Sequence, residues 1–252
     1  MISSANEAAQ RAGAQEDLGE LFRLSAAVAR ARGELGRARE LIDQALKELR
    51  SAQSRLLLAF SLAESSSLAT AMGDLARAER ELAEAGSDVV PETEGTVRLA
   101  RAELDSAQGR FADSVTEARW AAESLDKAHA DTVSARAFLV AADALEMQSQ
   151  TGDALAACRK SETRAARVPN PVPLALARIC EWRLSAGQQK EPLPDAKNPE
   201  VGLAHAYGRA MLARRSGTVD AGRPFDALAQ AAEARGYITL ARRASALAQA
   251  VK

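Results

Sequence analysis

The chain has 252 residues, 47% apolar and 27% charged, with 33 Lys plus Arg against 34 Asp plus Glu and a formal net charge of -1. That balance leaves no electrostatic footprint for nucleic acid or an anionic membrane surface. Alanine fills about a quarter of the positions and aromatics only 4%, without clusters of β-branched and aromatic residues. This composition excludes sandwiches, barrels and parallel sheets, and leaves an all-α protein whose helices approach closely across small residues.

In chain order, Met1 to Asp17 are polar and read as an N-terminal segment or linker, covering 1–17. They carry neither a basic n-region nor an apolar h-region. Purely apolar runs such as Leu56 to Phe60 are far short of the roughly 20 residues that span a bilayer. The expectation is a cytoplasmic chain without membrane insertion. Helical stretches follow at Leu18 to Arg32, Ala52 to Met72, Glu92 to Gln108, Asp131 to Gln150 and Pro173 to Ala186, each running into a glycine: Gly33, Gly73, Gly109, Gly152 and Gly187. Gly222 continues the series. After Gly33, Gly73 and Gly222 an alanine recurs five residues on (Ala38, Ala78, Ala227) and another twelve on (Ala45, Ala85, Ala234), on one helical face. Weaker copies follow Gly109 and Gly152, with Ala121 and Ala157 at matching places.

Each unit therefore reads as helix, left-handed glycine turn, helix, at intervals suited to a two-helix repeat. Val89-Val90-Pro91 and Val168-Pro169-Asn170-Pro171 are stops between units, because proline cannot continue a helix. The repeat block covers 18–187. A proline-rich loop at 188–198 replaces a repeat helix, and 199–252 holds C-terminal helices at Pro199 to Arg215, Arg223 to Arg235 and Tyr237 to Val251, the last as a cap.

The turn glycine, the alanines five and twelve later and Pro91 near a repeat end resemble the tetratricopeptide repeat family, over roughly Leu18 to Lys252. Phe22, Leu62 and Leu176 stand where that family usually carries a large first-helix aromatic. The resemblance implies an all-α, right-handed superhelix of stacked helical hairpins, a TPR-like solenoid, whose first helices line a concave partner-binding groove. The chaperone-binding branch's carboxylate-clamping Lys, Asn and Arg set does not appear in register, which argues against an acidic C-terminal peptide as ligand.

Six residues before successive turn glycines stand Ala27, Ser67, Glu103, Glu146 and Glu181, and neighbouring offsets add Arg23, Arg30, Thr70, Thr96, Ser106, Ser149 and Gln150. Glu103, Glu146 and Glu181 form either an acidic stripe for a basic or hydroxyl-rich partner segment, or an ordinary solvated face of good helix formers. No phosphate loop, His-Glu pair or nucleophile elbow is present. His129 and His205 read as capping and packing residues, and Trp120 and Trp182 as core fillers. Cys158 and Cys180 read as small apolar interface residues, a bond between them being the lesser alternative. With the histidines they make no metal-ligand spacing. The expectation is a non-enzymatic protein-interaction or regulatory scaffold without cofactor, metal or nucleic acid. A small-molecule sensing domain and a self-assembling homo-oligomeric module remain the alternatives.

Overall fold

The computed structural model describes residues 2–86, 91–186, 188, 191–192, 198–217 and 220–250, with backbone alone at 2–12 and 91–92. The described residues form twelve α-helices and no strand: α1 (Ile2–Ala31), α2 (Leu35–Ala52), α3 (Arg55–Ala71), α4 (Leu75–Gly86), α5 (Pro91–Ala107), α6 (Phe111–Lys127), α7 (Asp131–Met147), α8 (Thr151–Ala165), α9 (Pro171–Leu184), α10 (Pro199–Arg215), α11 (Arg223–Glu233) and α12 (Ile238–Gln249). None of them is long and apolar enough to cross a membrane. The helix α1 runs unbroken from Ile2 to Ala31, across the boundary expected at residue 17. Of the expected loop at 188–198, the residues described outside any helix are 188, 191–192 and 198, and the rest lie outside the described residues.

The repeating unit is shorter than the glycine spacing implied. Left-handed residues stand at Gly33, Gln53 and Gly73, and again at Gly109, His129 and Ser149, in 20-residue steps within each of these two sets. At every one of these turns, and at Gly236, the next backbone N–H reaches back to the carbonyl five residues earlier: Glu34 to Ala29, Ser54 to Leu49, Asp74 to Ala69, Arg110 to Asp105, Ala130 to Leu125, Gln150 to Leu145 and Tyr237 to Ala232, at 2.8–3.2 Å. That bond closes the last turn of each helix and satisfies one of its orphan carbonyls. One helix plus one turn is thus the unit, and a hairpin is two of them.

Two expected turn glycines are corrected by this register. Gly152 lies inside α8 and Ser149 takes the left-handed conformation; Gly222 has φ -72 and caps α11, with Gly217 and Asp220 left-handed before it. A third, Gly187, lies outside the described residues, and Ala186 beside it is left-handed. Counting from Gly33, Gly73, Gly109, His129 and Ser149, five and twelve residues on fall Ala38 and Ala45, Ala78 and Ala85, Ser114 and Ala121, Ser134 and Ala141, Ala154 and Ser161, all of them at most 1% exposed, whereas Gln53 is followed at five by the half-buried Leu58. Ala227 and Ala234, predicted from Gly222, are exposed instead. Small residues at these two places let neighbouring helices touch backbone to backbone. The serines among them keep their hydroxyls bonded: Ser114 donates to the Ala102 carbonyl, Ser134 to Ala122 and Ser161 to Ala135, at 2.8–2.9 Å.

Each helix packs on the next in sequence, and α3, α5, α7 and α9 also touch in succession, so these odd-numbered helices form a continuous layer. The buried side chains fall into several small clusters along the chain rather than one large core, as expected where a helix contacts few others. Cys158 of α8 and Cys180 of α9, both buried, form a disulfide with Cα atoms 5.8 Å apart, the alternative to the simple apolar reading.

The C-terminal helices depart from a linear stack. Asn198, whose side chain caps α10 by accepting from the Val201 N–H, also donates to the Ala31 carbonyl at the end of α1. Pro199 packs on Gly33 so closely that a Cβ there would lie 2.7 Å from its ring, and Ile238 sits in the same way on Gly73. Tyr237 joins Phe22, Leu41 and Met72 at the edge of the first core cluster. The last helix therefore does not cap a free end: α12 packs on α11 and folds back on α3.

Candidate functional site

The register of the turns decides which predicted groove residues share a row. Three residues before the left-handed positions 33, 73, 109 and 149 stand Arg30, Thr70, Ser106 and Glu146, and Arg183 holds the same place before Ala186. Glu103, Glu146 and Glu181 do not share an offset, because the left-handed residues that follow them are Gly109, Ser149 and Ala186. The row of Arg30, Thr70, Ser106 and Glu146 is real, and it meets the C-terminal helices. The Thr239 hydroxyl donates to the Thr70 carbonyl, Arg243 donates to the Ser106 hydroxyl at 3.0 Å, and Arg215 reaches a Glu146 oxygen at 2.5 Å. Tyr237 lies within electrostatic range of Arg30. Basic and hydroxyl-bearing groups do meet this row, and they come from α10 and α12 of the same chain.

Each of the three carboxylates is engaged by an arginine. Glu103 pairs with Arg136 at 2.7 Å, Glu181 with Arg159 at 3.0 Å, and Glu146 with Arg183 at 3.1 Å as well as with Arg215. Glu146 and Arg183 are almost wholly buried. Burial disfavours the charged form of Arg183, but Asp143, 2.6 Å away, and Glu146 outweigh it and raise the guanidinium above its ordinary value. Burial pushes the Glu146 carboxyl above its ordinary range, opposed by Arg183 and Arg215. Arg183 also lies 4.9 Å from the centre of the Tyr207 ring, and Arg215 donates to the Arg183 carbonyl at 2.7 Å. This knot ties α7, α9 and α10 together.

A second group of charges lies where α1, α3, α5 and α7 come together with the start of α10. Arg23 bonds Glu20 and Glu64 at 2.7 Å each. Arg30, half-buried and without an ion pair of its own among the described residues, lies in the combined field of Arg136, Glu103 and Glu200. Burial pulls its guanidinium below the ordinary arginine value, and Arg136 adds to this. Glu64 is pushed up by burial against the pull of Arg23 and Arg30. These residues form a mixed-charge cluster drawn from four different helices of the repeat and facing one another.

The remaining predicted residues separate from it. Ser67 and Thr70 are buried in α3 and Thr96 is half-buried in α5, whereas Ser149 is the left-handed turn residue and Gln150 the exposed residue preceding α8. Trp182 is buried and stacks on His205 with ring centres 5.5 Å apart, but Trp120 is 38% exposed with the Arg98 guanidinium 4.1 Å over its ring, a surface arrangement rather than core filling. His129 is a left-handed turn residue. A shallow depression of about 450 Å³ on α12, lined by Glu233, Ile238, Arg242 and Gln249 among others, lies apart from both charge clusters. Sequence reasoning missed Arg136, Arg183, Arg215 and Glu64. Arg183 stands three residues before the left-handed Ala186, the place that Arg30 and Glu146 hold at their own turns, whereas Arg215 could be found only from the return of α10.

The fold defines an all-α, helical-repeat-like protein. No family model matches the chain, and no curated protein matches it in sequence.

Proposed function

We propose that this chain is a non-enzymatic interaction or regulatory module, a TPR-like right-handed superhelix of hairpins that holds a segment of a partner protein on the inner face of its odd-numbered helices. The observation that carries the reading is the mixed-charge cluster of Arg23, Arg30, Glu64, Glu103 and Arg136. The outer two of its four helices contribute arginines and the middle two glutamates, all at half-buried positions, and Arg30 makes no ion pair among the described residues. Rigid hairpins present such groups at fixed spacing, so an extended segment is bound with little ordering cost on the repeat side. Arg30 beside Arg136 is suited to a carboxylate or a backbone carbonyl of that segment, since a guanidinium offers several donors in a fixed fork.

The test is affinity purification with the whole chain and with Arg30→Glu and Arg136→Glu variants, whose melting is compared first. A partner recovered with the wild type and lost by more than about tenfold with either folded variant supports the inner face. A partner retained by both variants refutes it. A small molecule carried through purification, seen by native mass spectrometry and lost in the same variants, would replace this reading with the sensing one.

A further inference from the structure

We propose that the outward face of α1 is a self-complementary dimerisation surface that receives α1 of a second copy in antiparallel orientation. Across its described part, α1 buries one side, with Gly19 against Leu49 and with Ala26 and Ala29 in the first core cluster. Its opposite side carries Leu18, Leu21, Leu24 and Val28 at 40%, 59%, 49% and 51% exposure, most of the exposed large apolar side chains among the described residues. Four such residues within three turns of one helix make a contiguous patch of the kind that marks an interaction surface.

The pattern specifies the occupant. Ala14, Leu18, Leu21, Ser25, Val28 and Arg32 follow one another at alternating steps of four and three, the seam that packs against another helix rather than a flat surface. Asp17 and Arg32 lie on this same exposed face near its two ends, and neither makes an ion pair among the described residues. A second α1 laid antiparallel about a two-fold axis near residue 23 places Leu18 opposite Val28 of the other copy and Leu21 opposite its Ser25 and Leu24. Arg32 then comes within one turn, about 4.5 Å along the axis, of Asp17, an offset that the side chain spans. The symmetry makes this contact twice. A parallel pair would set Asp17 against Asp17 and Arg32 against Arg32. Four apolar side chains on one helix are a smaller surface than the roughly 800 Å² per partner of a standard interface, so the dimer is weak and concentration-dependent.

Sedimentation of the full chain from low micromolar to several hundred micromolar tests this, independently of the inner face. The expected result is a monomer–dimer equilibrium whose dissociation constant rises more than about tenfold in Leu21→Glu, with unchanged melting because the side chain already faces solvent. Asp17→Arg alone weakens the dimer, and Asp17→Arg combined with Arg32→Asp restores it. A monomer throughout the range, a dimer indifferent to Leu21→Glu, or a double swap no better than the single would each overturn the proposal.

Discussion

The knot at Glu146 gives the sharpest test of how the C-terminal helices are held. Replacing Glu146 by alanine removes the carboxylate that faces Arg183 at 3.1 Å and Arg215 at 2.5 Å. Removing one partner of a buried ion pair costs about 3–5 kcal/mol, because the other charge is left in a poor dielectric. Arg183 retains Asp143 at 2.6 Å, and Arg215 retains the Arg183 carbonyl and partial access to water, so the lower end applies, about 3 kcal/mol. With a urea slope near the upper end for a chain of this size, about 3 kcal/mol per molar, the unfolding midpoint falls by about 1 M. Glu146→Gln preserves shape and one acceptor and loses about half as much. A double-mutant cycle with Arg215→Ala should return a coupling of about 1–2 kcal/mol. Amide exchange should quicken in α10 before α5 or α6, since the bridge from Glu146 to Arg215 fastens α10 to α7. A loss below about 1 kcal/mol in Glu146→Ala, with no coupling to Arg215, would show that the knot does not hold the C-terminal helices.

Three further outcomes follow from the same geometry. Ser114→Ala breaks a 2.8 Å bond to the Ala102 carbonyl and should cost about 1 kcal/mol by thermal melting, whereas Ser61→Ala, whose buried hydroxyl has no hydrogen-bond partner among the described residues, should be neutral or stabilising. His129→Gly should stabilise by about 0.5–1 kcal/mol by relieving a left-handed non-glycine residue, while Gly33→Ala, at φ 78 and pressed on Pro199, should destabilise in the same assay. Burial raises the Tyr207 phenol above its usual value, so the native state keeps a proton that the unfolded chain releases first. The stability from this group is complete below about pH 10 and is lost as pH rises through the raised value; Tyr207→Phe should flatten that alkaline decline in denaturant titrations.

The all-helical class and the intimacy of the helix contacts were legible in the composition. Alanine in place of larger side chains permits close helix approach whatever the topology, and Ala38, Ala45, Ala78 and Ala85 are buried as their spacing required. The unit length was harder to read, because Gln53, His129 and Ser149 adopt a conformation usually marked by glycine, so half of the turns carried no punctuation. Gly152 and Gly222 supplied false marks, so Glu103, Glu146 and Glu181 stand at different distances from the left-handed residues that follow them. What tertiary structure alone decided is where the C-terminal helices meet the repeat. The bonds from Asn198 to Ala31, Thr239 to Thr70 and Arg243 to Ser106 join residues more than a hundred positions apart. Local periodicity fixes which face of a helix is apolar, but the path of the twelve described helices accumulates from the small angle at every packing contact, and no single spacing in the sequence encodes that sum.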